Sequence, residues 1–199
     1  MADLFEDKAE GWDERPVPQQ ISQGVFAAIE ANVPLSPDLA VLDFGAGTGL
    51  IAGKLAPHVE RILAVDVSEA MLAQLAAKPE LEGKAEVVCR DILEEPLDEK
   101  VDLVVSAMAM HHVEDTRALL STLHAHLEDG GRVALADLDA EDGTFHPPET
   151  EGVYHQGFDR EALGALLEEV GFREPRFVTA CEVDRKGARY PVFLVTATK

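Results

Sequence analysis

The feature that most constrains this chain is Val41-Leu42-Asp43-Phe44-Gly45-Ala46-Gly47-Thr48-Gly49-Leu50. An apolar run ends in an acid and breaks into three glycines at alternate positions, and a helix-compatible segment, Leu50 to Ala56, follows at once. This is the layout of a buried strand, a tight turn and a helix N-terminus. Such a turn brings bare backbone close to a ligand, because only glycine permits that approach with no Cβ in the way.

The elements on either side follow from periodicity and capping. Residues 1–18 are polar and carry the only tryptophan, Trp12, with Pro16 and Pro18 behind it. Trp12 either packs on the domain surface or belongs to a lid that closes over a ligand. Ile21, Val25 and Ile29, with Phe26 beside them, make one helical stripe within Gln19–Asn32, ended by Pro34 and Pro37. Leu39–Phe44 is the first strand. Arg61–Val65 is the second and ends at Asp66; Ser68 caps a helix that carries Glu69 in its first turn and runs to Ala77. Ala85–Cys89 is the third strand, ending at Arg90-Asp91. Val101–Ser106 is the fourth, followed by a loop from Ala107 to His112.

Asp115 caps a helix whose apolar face is Leu119, Leu120, Leu123 and Leu127, with Gly130-Gly131 closing it. Arg132–Leu138 is the fifth strand. Asp159 caps a further helix, with Leu163, Leu166, Leu167 and Val170 on one face and Gly171 as its stop. Phe172–Cys181 and Arg189–Ala197 read as an antiparallel pair joined by a charged loop over 184–188. Strands alternating with helices over 199 residues predict one α/β domain with a mainly parallel sheet. In such sheets ligands bind outside the carboxyl ends of the strands, and the Gly45 turn, Asp66 and Asp91 all fall there. Residues 139–158, containing Pro147-Pro148, form a long connection of the kind that is often functional.

Charge narrows the partners. A formal net charge of −21, with the 17 basic residues scattered, repels a nucleic-acid backbone, so no nucleic-acid partner is expected. Cys89 and Cys181 stand far apart in apolar sequence surroundings and read as free thiols of a reduced, cytoplasmic protein. Met1 to Glu10 is acidic and lacks the apolar region of a signal peptide. No apolar run approaches the ~20 residues of a membrane span, so no membrane insertion is expected.

Spacing narrows the ligand. Gly45, Gly47 and Gly49 make G-x-G-x-G, but Leu50 stands where a dinucleotide fingerprint needs glycine or alanine, and no P-loop triplet is present. Asp66, about 20 residues beyond Gly45, is placed to accept both hydroxyls of a ribose. A nucleoside-containing ligand without the usual pyrophosphate site fits these residues.

Asp43-Phe44-Gly45-Ala46-Gly47-Thr48-Gly49, then Ala64-Val65-Asp66-Val67-Ser68, then Cys89-Arg90-Asp91-Ile92, resembles the class I S-adenosylmethionine-dependent methyltransferase family. Val101-Asp102-Leu103-Val104-Val105-Ser106 with His111-His112-Val113 is similar to that family's fourth-strand segment. Leu127-Glu128-Asp129-Gly130-Gly131-Arg132-Val133 resembles its fifth-strand entry, with Asp129 where proline is frequent. The resemblance covers roughly residues 38–197 and is nearest to small bacterial enzymes of the ubiquinone and menaquinone biosynthesis type. It implies a Rossmann-like fold: a seven-stranded, mainly parallel sheet with an antiparallel last strand and helices on both faces. It implies S-adenosyl-L-methionine as cofactor, with Gly45, Ala46, Gly47 and Gly49 facing its methionine part. Asp43 would steer the turn or reach the ammonium through water. Asp66 would bind the ribose, Val67 the adenine face, Asp91 the adenine amino group and Ile92 the ring, while Ser106 and Ala107 would line the channel near the sulfonium.

The acceptor end is read from residue chemistry. Methyl transfer is an in-line displacement in which holding the nucleophile close and dry does much of the work, and a base is needed only if the acceptor must lose a proton. His111, His112, His146 and His155 are the catalytic candidates, with a packing or cofactor-lining role the alternative for the first two. Trp12, Met110, Asp137, Phe145, Tyr154 and Phe158 are expected on the substrate side. The histidines and acids have irregular spacing with no compact ligand pair, so no metal is expected. The chain is thus expected to be one domain, with residues 1–33 as an arm and helix forming a lid. Residues 34–199 form the core, and 139–158 the substrate-side loop. Its expected activity is methyl transfer from S-adenosylmethionine to a small-molecule acceptor, as a monomer or homodimer. The alternative is a non-catalytic S-adenosylmethionine-binding regulatory or partner protein. A protein-modifying enzyme is disfavoured, since no asparagine-proline-proline-aromatic clamp follows the fourth strand.

Overall fold

The computed structural model describes residues 5–185 and 187–199. Residues 1–4 of the expected arm, and position 186 of the expected hairpin loop, lie outside the described residues. The chain opens with a short helix α1 (Glu6–Ala9), a 3-10 turn at Trp12–Glu14 and a long helix α2 (Pro16–Asn32). Helix α2 starts earlier than its apolar stripe suggests. Pro16 and Pro18 fall in its first turns, where a missing N–H costs nothing and a fixed φ is already helical.

Then β1 (Ala40–Phe44), α3 (Leu50–Leu55), β2 (Arg61–Asp66), α4 (Glu69–Ala76), β3 (Ala85–Cys89) and β4 (Val101–Ala107) follow in order. Helix α5 (Thr116–Ala125), β5 (Leu127–Leu138), α6 (Arg160–Val170), β6 (Arg173–Arg185) and β7 (Ala188–Thr198) complete the chain. The seven strands form one sheet in the order β3-β2-β1-β4-β5-β7-β6. All neighbouring pairs are parallel except those of β7, which runs antiparallel to both β5 and β6. The α/β, Rossmann-like fold and the antiparallel last strand are as expected.

The caps form where the sequence places them. Ser68 accepts a hydrogen bond from the Met71 N–H (3.2 Å), Asp115 from Ala118 N–H (2.9 Å) and Asp159 from Ala162 N–H (2.9 Å). Gly171, at φ 116°, closes α6. The expected stop of α5 differs: the helix ends at Ala125 with His126 as its cap, and Gly130-Gly131 lies inside β5. A Cβ on Gly131 would stand 2.9 Å from the Glu128 carbonyl oxygen and 3.1 Å from that of Asp102. Gly131 therefore serves the close approach of β4 and β5, where the register shifts between Val101 and Leu103, while Gly130 supplies a positive φ of 81° with open space beside it. The expected 184–188 loop is also shorter, since β6 and β7 stay paired up to Arg185 and Ala188.

Two apolar cores sandwich the sheet. Ile21, Val25 and Ile29 of α2 with Ile51 and Leu55 of α3 pack on the face carrying Val41, Leu103 and Val105. Leu119 and Leu123 of α5 with Leu163 and Leu167 of α6 pack on the face carrying Leu42, Val104 and Leu135. Each such side chain contributes about 1.5–3 kcal/mol when fully buried. Helices on both faces leave the carboxyl edge of the sheet as the place where loops converge. Cys89 departs from its expected apolar setting: it sits exposed on edge strand β3, whereas Cys181 is half-buried. Among the described residues no helix is long and apolar enough to cross a membrane.

Candidate active site

The glycine turn is held from below by backbone. The N–H groups of Gly45 and Ala46 donate to the Val65 carbonyl at 2.9 and 3.0 Å, and Gly47 N–H donates to Asp66 Oδ2 at 2.8 Å. Gly45 and Gly47 both have positive φ, 67° and 53°, but serve different ends. A Cβ on Gly45 would fall 2.3 Å from the Cβ of Ala109, whereas one on Gly47 would meet nothing within 4 Å. The turn therefore packs against the loop after β4 through Gly45 and presents bare backbone to open space at Gly47. At Met108, in that same loop, the backbone adopts φ 60° without being glycine. This left-handed conformation costs roughly 1–2 kcal/mol and persists only where surroundings enforce it.

The acids at the strand ends are not equivalent. Asp66 is fixed by two backbone donors, Gly47 on Oδ2 and Ser68 on Oδ1 (2.9 Å), and each carboxylate oxygen can accept further bonds. Val67 beside it is 65% exposed, the right condition for a flat apolar ligand face. Asp91 is exposed and accepts from Leu93 N–H at 2.9 Å. Ile92, expected against a ligand ring, is instead fully buried in the core. Asp43 is buried, and its carboxyl is pushed up to about 8 by loss of solvent and then by the Asp66 charge, against a backbone hydrogen bond from Ala52. Its Oδ2 has no hydrogen-bond partner.

The fifth strand places a second buried acid beside a histidine. Asp137 is 0% exposed and His111 1% exposed, and His111 Nδ1 lies 2.7 Å from Asp137 Oδ1. The same carboxylate accepts from the backbone N–H of His111 (3.1 Å, Oδ2) and of Leu138 (2.8 Å, Oδ1). Asp137 accepts from all of these donors, so a neutral His111 ring carries its proton on Nδ1 and its lone pair on Nε2. That Nε2 is buried without a partner. His112 Nδ1 donates to the Gly152 carbonyl at 2.6 Å, and burial first, then the neighbouring His111, pushes its pKa down to about 4. His146 is likewise lowered to about 4, mainly by burial and then by His111, His112 and Arg185, and its Nε2 is also buried without a partner.

These rings form a continuous chain. Centroids run from Trp12 to Phe5 (6.1 Å), His112 (5.5 Å), His111 (4.1 Å), His146 (5.0 Å), Phe145 (4.9 Å) and Tyr190 (5.2 Å). Among the described residues no group of three or more histidines, cysteines or acids is arranged to hold a metal ion.

The loop over residues 139–158 is zipped shut at its ends. Ala140 N–H donates to the Phe158 carbonyl and Glu141 N–H to that of Gln156, while Arg160 grips Asp139 through Nε (2.7 Å) and Nη2 (2.8 Å). Its descending limb is pinned to the histidine turn, since Tyr154 and His155 N–H both donate to the His111 carbonyl (3.0 and 3.3 Å). His155 is placed differently from the expected catalytic role. Its Nε2 reaches the Val113 carbonyl at 2.9 Å and Thr116 Oγ1 at 3.2 Å, so it fastens the loop to the start of α5. Met110 and Phe145, expected on the substrate side, are core residues, and Phe158 is 9% exposed in the second core. Tyr154 is exposed. Ser106 is buried with its Oγ unpartnered, and Ala107 is half-buried beside it.

Sequence reasoning missed the residues that seat the N-terminal arm. Asp13 accepts from Thr48 Oγ1, inside the glycine turn, at 2.5 Å, and pairs with Lys78 after α4 at 2.5 Å. Nothing local marks a pair separated by 35 positions, though an acid beside the only tryptophan on a polar arm was available as a hint. Gln19 Nε2 also donates to the Asp13 carbonyl. Two surface hollows, of about 350 Å³ beside Leu75, Pro79 and Val87 and about 190 Å³ beside Val33 and Gly130, contain none of the glycine-turn, strand-end acid or histidine residues described above.

The comparisons agree with this geometry. Residues 41–131, from β1 into β5, match a family model described as a methyltransferase domain. An uncharacterized methyltransferase of Schizosaccharomyces pombe is 35% identical over 135 residues, covering 60% of this chain and 48% of that protein. An uncharacterized methyltransferase of a Geobacillus strain is 28% identical over 204 residues, covering 100% of this chain and 88% of its own. The chain spans about half the length of the curated relatives it matches at 35 and 36% identity. The N-methyltransferase NodS of Bradyrhizobium japonicum, solved with S-adenosyl-L-homocysteine, has the same fold at TM-score 0.74 and 21% identity, covering 99% of this chain and 94% of that one. Motif order, sheet order and these relatives converge: residues 41–131 resemble a methyltransferase domain, the curated relatives are similar to this chain over part of their length, and the chain has the fold of the solved S-adenosylmethionine-dependent methyltransferases.

Proposed function

We propose that this chain transfers a methyl group from S-adenosyl-L-methionine to a small-molecule acceptor held beneath the 139–158 loop and the N-terminal arm. One observation carries the reading. Among the described residues four buried side-chain atoms lack a hydrogen-bond partner: Asp43 Oδ2, Ser106 Oγ, His111 Nε2 and His146 Nε2. All four stand at or just beyond the carboxyl ends of β1, β4 and β5, the edge where ligands of such sheets bind. Unsatisfied buried polar atoms cost about 1–3 kcal/mol each, so a cluster at one edge points to a ligand that satisfies them.

The residues present fit the cofactor. The open backbone at Gly47 takes the methionine part, and Asp43 faces its ammonium. Asp66, held in place by Gly47 and Ser68, accepts from the ribose hydroxyls. Exposed Val67 flanks the adenine, Asp91 accepts from its amino group, and buried Ile92 supports that wall from within. Gly45, Ala46 and Gly49 fix the turn, and Ser106 and Ala107 border the channel to the acceptor. When bound, the cofactor supplies an electrophilic methyl group on a sulfonium. The chain's own part is to hold the nucleophile in line and keep water out, which is where most acceleration of such a displacement arises. The arm, closed by Asp13 on Thr48 and Lys78 with Phe5 against His112, supplies that cover together with Trp12.

Calorimetry with S-adenosylhomocysteine is expected to show one site per chain. A metabolite extract incubated with methyl-labelled cofactor is expected to yield a labelled small molecule. Absence of S-adenosylhomocysteine binding would overturn the cofactor assignment; binding without any labelled product would leave a non-catalytic binding protein.

A further inference from the structure

We propose that His111, oriented by Asp137, is the general base of the site, and that the acceptor atom is the oxygen of an uncharged hydroxyl group. The proposal rests on the methyl-transfer reading above and names the class of its acceptor.

The geometry leaves His111 one way to be satisfied. Asp137 holds Nδ1 at 2.7 Å and the residue's own backbone N–H at 3.1 Å, so the ring is locked at both the side chain and the main chain. Nε2 on the far side of the ring is buried and unpartnered, and in this tautomer it accepts a hydrogen bond and cannot donate one. It requires a donor from the ligand. A carboxylate behind an imidazole whose outer nitrogen faces the reacting group is the arrangement by which an imidazole takes a proton and is stabilised as imidazolium. Ala109 joins this turn to the cofactor turn, since a Cβ on Gly45 would overlap its own.

The acceptor's chemistry follows from what else faces the pocket. An alkylammonium would look for an accessible carboxylate, and Asp137 is 0% exposed with its oxygens turned to His111 and Leu138. The rings packed around the base are His112 on the same turn and His146 on the 139–158 loop, with Lys8 of α1 bearing on His112, Arg185 of β6 on His146, and Asp137 the carboxylate that bears on both. Apart from Asp137, each of these is a cation or would become one on protonation, so a second positive charge is unwelcome. His112 and His146 are both held neutral well below the usual histidine range, first by burial and then by the neighbouring histidines. A carbon acid has no strong donor for Nε2. A thiol is a weak donor, and with a pKa of about 8.5 it reaches its anion with little help. A hydroxyl is a strong donor, enters uncharged, and with a pKa of about 10 or above needs a base. Trp12 and Phe5, at the outer end of the ring chain, give such an acceptor an apolar wall.

In the transfer, a lone pair of the acceptor oxygen forms the bond to the methyl carbon. The carbon–sulfur bond breaks, its electron pair staying on sulfur as a neutral thioether. The O–H proton passes to His111 Nε2, giving an imidazolium paired with Asp137; solvent removes that proton after product release.

The test uses the full chain with ¹⁵N-labelled histidine, S-adenosylhomocysteine calorimetry, and methyl-labelled cofactor in a metabolite extract. At neutral pH in the S-adenosylhomocysteine complex, His111 is expected protonated on Nδ1 and bare on Nε2, and Asp137→Asn is expected to disturb that tautomer. The labelled methyl is expected on oxygen. His111→Gln is expected to lower turnover about 10²–10⁴-fold, with the rising pH limb of the wild type flattened and S-adenosylhomocysteine affinity unchanged. If S-adenosylhomocysteine fails to bind, or binds with no labelled product formed, the methyl-transfer reading fails and takes this proposal with it. If product forms but carries the methyl on nitrogen, sulfur or carbon, or His111 is protonated on Nε2, or His111→Gln keeps turnover within about threefold, the proposal alone is overturned.

Discussion

The two halves of the carboxyl edge are built on different principles. The β1–β3 half, to which the proposed function assigns the cofactor, is backbone: Gly45, Ala46 and Gly47 N–H groups are fixed by Val65 and Asp66, with bare main chain and two strand-end acids at its edge. The β4–β5 half is side chain: His111 on Asp137, His112 on Gly152, His155 on Val113 and Thr116. Backbone that must approach a ligand tolerates almost no substitution but says little about which acceptor is used. Side chains brought together from distant segments can be exchanged, and on the proposed reading that half is where specificity would reside.

The comparison can be broken from either side. Asp137→Ala strands three donors in a site with no solvent and is expected to cost about 3 kcal/mol or more of stability. Denaturant unfolding showing a loss under about 1 kcal/mol would mean water reaches the pair after all. Gly45→Ala is expected to cost about 2–3 kcal/mol, from a positive φ and a Cβ placed 2.3 Å from that of Ala109. Gly47→Ala, with open space beside it, is expected to cost about 1 kcal/mol of stability and to show its damage in cofactor affinity. Equal stability losses for the two would remove the division of labour within the turn.

Asp66→Ala is expected to weaken S-adenosylhomocysteine binding by more than about 1 kcal/mol, since charge-assisted bonds to the ribose are lost and Gly47 loses its anchor. Unchanged affinity by calorimetry sinks the ribose assignment. A finer probe uses protons. With its carboxyl raised to about 8, Asp43 is mostly protonated at neutral pH, and an ammonium arriving beside it favours the ionised form. Cofactor binding at pH 7 is therefore expected to release up to about one proton, read from calorimetry in buffers of different ionisation enthalpy and absent in Asp43→Asn. The same group sets a sign for stability. Between its ordinary 3.8 and about 8 the folded state binds more protons than the unfolded one, so Asp43 erodes stability as pH rises through that window. His112 acts oppositely: its stability contribution is lost as pH falls from 6.5 to about 4. Smallest of all, Asp13→Ala is expected to cost less than about 1 kcal/mol, because its ion pair with Lys78 is partly exposed, and to matter chiefly by freeing the arm from Thr48.

What could be read from the sequence divides along the same line. The β1 turn, the acids at Asp66 and Asp91, and the caps Ser68, Asp115 and Asp159 are local signals, complete within a few residues, and the structure has them where the reading put them. The early start of α2 was hidden because Pro16 and Pro18 read as breakers unless the first helical turn is considered. Gly130-Gly131 read as a helix stop because glycine after an amphipathic run usually is one; only the packing of β4 on β5 shows the other cause. On the acceptor side the residue types were visible but their partners were not. His111 meets Asp137 across 26 positions and Asp13 meets Thr48 across 35, and no periodicity encodes such pairs. His155 illustrates the cost, since its chemistry suggested catalysis and its contacts make it a fastener.

The pinning of the 139–158 loop to the His111 carbonyl has one more consequence. Any excursion of the loop that breaks the bonds from Tyr154 and His155 also slackens the main chain that aims the imidazole, and it withdraws Gly152 from His112. If His111 is the base proposed above, a pocket opened in this way would be chemically idle, and water entering it would find no poised acceptor of protons.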